Sequence, residues 1–259
     1  MLITSLLLLS SSLLHAKAAP VFADVYVSGH GPYLFLVDTG AETSLIDPKL
    51  AAELGLKPEF RVEVISQNGK QVLPATKATT LRVGEKTLPQ TELVFQELAQ
   101  ARRFDPSVRG LLGINALAGF NFTLSPSTGR LDLLAERPSG EVVSFHPLDG
   151  RLAVKARMGE ESLALILDSG STNVVLFRTP AAMAKTRSVA TTFGTLEGAR
   201  RVVPTTWTAD MFFSQKLRVG MLPAAIVERK DAQVDGLLPA SVFKKIYVDQ
   251  ARRELVLVR

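Results

Sequence analysis

The chain has 259 residues, a formal net charge of +5 and no cysteine, which excludes disulfides, thiolate catalysis and zinc–thiolate sites. A hydrophobic content of 46% is enough to bury a large core. Its basic residues are scattered as pairs, such as Arg102-Arg103, Arg200-Arg201, Lys244-Lys245 and Arg252-Arg253, without interleaved aromatics, the pattern of solvated faces rather than of a nucleic-acid footprint.

Residues 1–14, MLITSLLLLSSSLL, form an apolar run too short to span a bilayer, and Ala16-Lys17-Ala18 follows as a small-residue cleavage site. Residues 1–18 are therefore expected to be a signal peptide, cut before Ala19. No Lys or Arg precedes the apolar run, so an uncleaved anchor is the alternative. Export to the periplasm or the medium follows, with no membrane span in the mature chain. The first predicted hairpin begins almost at once, which leaves no room for a long N-terminal prosegment.

VFADVYV (Val21 to Val27) and YLFLV (Tyr33 to Val37) read as the strands of a hairpin turning at Gly29. The second strand runs straight into Asp38-Thr39-Gly40-Ala41, although a buried carboxylate is costly without a partner. Pro48 to Leu56 has the spacing of a short helix, with Pro at its start and Gly near its end. VISQNGKQV (Val64 to Val72) carries a hairpin-turn signal at Asn68-Gly69. A strand-rich stretch then leads to RGLLGIN from Arg109 and a closing hairpin. Residues 136–141, ERPSGE, are polar and interrupted by Pro and Gly, as a linker would be.

Beyond that linker the pattern repeats. LALILDSGSTNVVLF (Leu163 to Phe177) places Asp168-Ser169-Gly170-Ser171 behind another apolar run, and Gly159 lies nine positions before Asp168, as Gly29 does before Asp38. LRVG recurs letter for letter at Leu81 to Gly84 and Leu217 to Gly220, and a Leu-Pro pair follows each, at Leu88-Pro89 and Leu222-Pro223. A second glycine-bearing hairpin is expected in TFGTLEGARRV (Thr192 to Val202), with Gly194, Thr195 and Gly198. GLLPAS from Gly236 matches GLLGIN from Gly110, but has Pro239 where Gly113 stands. Two units of one fold, residues 19–138 and 139–259, are thus expected: all-β, β-barrel-like, related by a pseudo-twofold axis, with few short helices.

Such symmetry would bring Asp38 and Asp168 together. Like charges a few ångström apart cannot both ionise, so the pair would share a proton, one carboxylate taking a proton from water while the other donates to a carbonyl. Thr39 and Ser169 could lock the two loops to each other, and Gly40 and Gly170 would let backbone amides approach the acids.

These paired motifs, VDTGAETSLID and LDSGSTNVVLF with GLLGIN and GLLPAS, resemble the aspartic peptidases of the pepsin and retropepsin kind, over nearly the whole mature chain. Aspartic proteases are themselves the reference case for two acids sharing one proton. The resemblance implies a two-lobed endopeptidase, monomeric with an internal pseudo-dimer, needing neither cofactor nor metal. It implies an extended peptide, apolar around the scissile bond, held under flap hairpins that include Asn68, Gly69, Gly194, Thr195 and Gly198. A noncatalytic peptide-binding protein of the same fold is the rival. Departures include the absence of a flap Tyr and Ala41 opposite Ser171. Loss of a hydroxyl near Asp38 is expected to withdraw support from the ionised form and move activity toward neutral pH. Trp207 and Met211 to Phe213 are expected in the core, Asp47 and Asp249 in turns or on the surface, and Asn115 either orients the first Asp loop or forms a turn.

Overall fold

The computed structural model describes residues 3–4, 9–10, 20–66, 69–194 and 200–259. Strands make up 50% of the chain and helix 8%, with two short α-helices, Pro48–Glu53 and Ile114–Leu117, in line with the all-β expectation. The apolar runs become strands that are covered on both sides. His30–Asp38 is antiparallel to Phe22–Val27 on one edge and parallel to Val108–Gly113 on the other. That double pairing explains why Phe35 to Asp38 are all buried, whereas Phe22–Val27 alternates between covered and less covered faces.

The same connections recur in the second half. Glu161–Asp168 is antiparallel to Arg151–Met158 and parallel to Gly236–Pro239. Each hairpin turns at a glycine with positive φ, 85° at Gly29 and 60° at Gly159. Ser44–Ile46 runs parallel to Thr91–Phe95, as Val174–Leu176 does to Pro223–Ile226. The hairpin arms Phe60–Ser66 and Gly69–Thr79 find their counterparts in Val189–Gly194 and Arg200–Trp207. Two pieces of the N-terminal segment pair with these arms, Ile3–Thr4 parallel to residues 64–65 and Leu9–Ser10 antiparallel to residues 193–194.

The identical LRVG letters are not equivalent in space. Leu81–Val83 pairs with Phe22–Val27, a place taken in the second half by Met211–Phe212 against Arg151–Met158. Arg218–Val219 lies one strand further out and corresponds to Lys86–Thr87. A longer turn causes the offset, closed by the Ser214 hydroxyl, which accepts from the amides of Lys216 and Leu217 at 3.0 Å each.

The two halves are joined through their closing hairpins, where Phe122–Ser125 is antiparallel to Lys245–Asp249; within the second half, Glu254–Val258 also pairs with Glu141–Leu148. Within the linker, Arg137 forms ion pairs with Asp249 at 2.9 Å and Glu254 at 2.6 Å. Asp249 is thus a buried structural acid, contrary to expectation. So is Asp47, which caps the helix Pro48–Glu53 by accepting from Lys49 and Leu50 amides and is paired with Arg102. Met211 is core, but Trp207 is 36% exposed, because it ends its strand at the edge where it meets Pro223.

One large apolar cluster runs through both halves, containing Val37 and Leu112 with Leu167 and Leu238; a smaller one lies to the side in each half. Close approach fixes Gly236 beside Asp235: a Cβ there would stand 2.0 Å from the carbonyl oxygen of Val175. Gly236→Ala must therefore push two strands apart, and urea denaturation should show a loss of at least about 1–3 kcal/mol. A neutral result would mean that the two strands are not packed as described.

Candidate active site

Asp38 and Asp168 end equivalent strands, and both are fully buried. Each carboxylate uses one oxygen on its own loop. Asp38 Oδ1 accepts from the Gly40 and Ala41 amides at 2.9 and 3.2 Å, and Asp168 Oδ1 from the Gly170 and Ser171 amides at 2.8 and 3.1 Å. Both Oδ2 atoms are buried without a hydrogen-bond partner among the described residues. The loops interlock: a Cβ on Gly40 would lie 2.5 Å from Asp168 Cγ, and one on Gly170 would lie 2.7 Å from Asp38 Cγ. Glycine is required at both places by this contact.

Behind the acids, Thr39 and Ser169 exchange hydrogen bonds across the junction. The Thr39 amide donates to Ser169 Oγ at 3.0 Å, and the Ser169 amide to Thr39 Oγ1 at 3.1 Å. Each hydroxyl then donates to a carbonyl of the opposite strand, Thr39 to Leu167 and Ser169 to Val37, both at 2.8 Å. All four groups are satisfied only by the other half of the chain.

Burial pushes the Asp38 carboxyl up to about 6, against a lowering influence from the neighbouring Asp168 carboxyl, from the loop amides and from Arg151. Asp168 is raised well above the ordinary carboxylate range by burial and then by the charge of Asp38. The pair therefore holds on to a proton that two separate surface carboxylates would lose.

The departures in the second loop have structural reasons. Ser171 Oγ donates to the Asn173 carbonyl at 2.8 Å, so the hydroxyl that Ala41 lacks serves a turn rather than a carboxylate. In the first half the Gly113 amide donates to Ser44 Oγ at 3.0 Å, and that hydroxyl donates to Asn115 Oδ1 at 2.8 Å. Asn115 thus helps fix the segment beneath Asp38, where the Ile114 amide donates to the Ala41 carbonyl at 2.9 Å. The second half has Val174 in place of Ser44 and Pro239 in place of Gly113, which removes acceptor and donor together. Neither substitution strands a polar group.

Sequence reasoning did not find the ion pair of Glu42, next to the first loop, with Arg151 in the second half, 3.0 Å apart and almost wholly covered. Nothing in its spacing marks it. Of the expected flap residues, Asn68, Thr195 and Gly198 lie outside the described residues; Gly69 and Gly194 lie in strand arms next to their turns.

Comparison with protein families matches residues 23–116 to the aspartyl protease family, which covers the loop of Asp38 and bears out the resemblance drawn from the paired motifs. No curated protein matches the chain.

Ser169→Ala leaves the buried Thr39 amide without an acceptor and should cost about 1–3 kcal/mol in chemical denaturation; Ser169→Thr, which restores the hydroxyl, should recover most of it. Titration supplies a second test. A carboxyl raised in the folded state binds its proton more tightly there than in the unfolded chain, so its ionisation weakens the fold as pH rises from the unfolded value through about 6. Asp38→Asn should therefore raise the melting temperature at about pH 8, by the equivalent of up to roughly 3 kcal/mol, with the gain vanishing below about pH 4. A gain independent of pH would contradict the raised carboxyl.

Proposed function

We propose that this chain, whose residues 23–116 match the aspartyl protease family, is an endopeptidase whose Asp38 and Asp168 activate a water between them. The observation that carries this reading is a pair of fully buried carboxylates, each packed against the glycine of the other's loop, whose Oδ2 atoms have no protein partner among the described residues. Residues 19–138 and 139–259 act as two lobes about a pseudo-twofold axis. An extended peptide lies between them, beneath the hairpins that carry Asn68, Gly69, Gly194, Thr195 and Gly198. The active form is a monomer, exported by the segment at residues 1–18. Among the described residues no helix is long and apolar enough to cross a membrane.

Of the pair we take Asp38, whose ionised form the loop amides and then Arg151 favour, as the base and Asp168 as the proton holder. Water attacks the peptide carbonyl carbon while its proton passes to Asp38, and the carbonyl oxygen takes the proton of Asp168. Collapse of the resulting gem-diol breaks the C–N bond. The amine nitrogen receives the proton from Asp38, and one diol hydroxyl returns a proton to Asp168, so the pair ends as it began. Thr39 and Ser169 hold the two carboxyl groups in one plane through their reciprocal bonds.

Cleavage of a peptide library by the wild type, Asp38→Asn and Asp168→Asn, read by mass spectrometry, tests the proposal. Either substitution should lower turnover by about 10²- to 10⁴-fold or more. Turnover retained in either variant rules out a shared-proton pair. The wild-type pH–rate profile should rise as Asp38 ionises through about 6 and fall once Asp168 loses its proton; an optimum near about pH 2–3, in the range of ordinary carboxylates, would oppose it.

A further inference from the structure

The second half leaves open a space that the first half fills with its own side chains. Between Thr91–Phe95 and Val108–Gly113 the chain makes the turn Ala101–Arg103 and buries Leu98 and Ala101 against Leu45, Val94 and Leu111. The corresponding connection, between Pro223–Ile226 and Gly236–Pro239, is shorter and has no such turn. Its Ala232 and Val234 only partly cover Ile166, Phe177 and Leu237. The result is a pocket of about 440 Å³, floored by Leu148, Ile166, Phe177, Val234 and Leu237 and opening beside Gly40. Since Gly40 abuts Asp168, the pocket adjoins the carboxylate pair.

Two arginines face this space, in different states. Arg151 is neutralised by Glu42 at 3.0 Å and Asp149 at 3.2 Å, and also donates to the Leu148 carbonyl at 3.3 Å. Arg229 is half-buried, with its guanidinium 5.3 Å from the centre of the Phe177 ring, and has no carboxylate at ion-pair distance among the described residues. Asp231 is exposed on the rim and makes no ion pair with it, while Lys70 at the mouth is paired with Glu63. Burial, and then the charge of Arg151, press the Arg229 guanidinium below its ordinary range, as expected of a cation without a counter-charge.

We propose that this pocket receives an acidic side chain of the bound peptide, with glutamate as the best fit and Arg229 as the specificity-determining residue. The inference rests on the peptidase reading and refines the expectation of apolar residues around the scissile bond. The aliphatic floor suits the methylene stem of glutamate, and a guanidinium binds a carboxylate through two parallel hydrogen bonds. An apolar side chain in the same place would desolvate Arg229 and leave its charge unpaired.

The test uses the full-length Asp38→Asn protein, so that binding is read without turnover, and a randomised library of C-terminally amidated peptides, with retained sequences identified by mass spectrometry. Glutamate should be enriched over glutamine at one position by about tenfold or more. Arg229→Ala in the same background should abolish the enrichment, and Arg229→Glu should convert it into a preference for lysine. Equal retention of Glu and Gln, a Glu preference that survives both substitutions, or retention of no peptide overturns the proposal. So does an acid preference that appears only with free C-termini, because the pocket would then read a chain end. Wild-type protein that binds such peptides but never cleaves them would refute the hydrolase and leave the Arg229 result standing.

Discussion

Two carboxyl groups that cannot both be charged lie fully buried where two strand ends meet, and the surrounding structure follows from keeping them there. An isolated acid in that position would be strongly destabilising. Here four loop amides satisfy one oxygen of each group, burial holds both carboxyls above their ordinary range, and glycines at 40 and 170 allow the close approach. The reciprocal bonds of Thr39 and Ser169 make each loop depend on the opposite half of the chain. Neither half can hold its acid in this geometry alone, and the closing hairpins and the Arg137 ion pairs keep the halves in register.

The two halves differ in several corresponding places. Ser44 with Gly113, and Val174 with Pro239, are alternative ways to close the same strand crossing without a stranded donor, one polar and one apolar. Arg151, held by Glu42 across the junction, is a charge with no counterpart on the other side, and its nearness lowers the Asp38 carboxyl slightly against the upward push of burial. The connection after Pro223–Ile226 leaves a pocket where its counterpart packs Leu98 and Ala101.

Much of this was legible in the sequence because the determinants are local. Apolar runs ending in Asp-Thr-Gly and Asp-Ser-Gly and glycines nine positions upstream each report a short stretch of backbone, and the structure pairs those stretches as the periodicity predicts. What could not be read depends on contacts distant in the chain. Asp47 and Asp249 look like surface acids until Arg102, Arg137 and Arg252 arrive from elsewhere. Identical letters misled at LRVG, because a longer turn at residues 213–217 moves the second copy to the neighbouring strand. Trp207 looked like core by residue type, yet a strand edge decided its exposure.

The most direct measurement is of the shared proton. In protein labelled with ¹³C at aspartate Cγ and assigned with the Asn variants, Asp38 and Asp168 should titrate as one coupled pair, in separate steps above the ordinary carboxylate range, and hold one proton between them after the first step at about 6. Two independent titrations near about 4, leaving both groups ionised at neutral pH, would contradict the account.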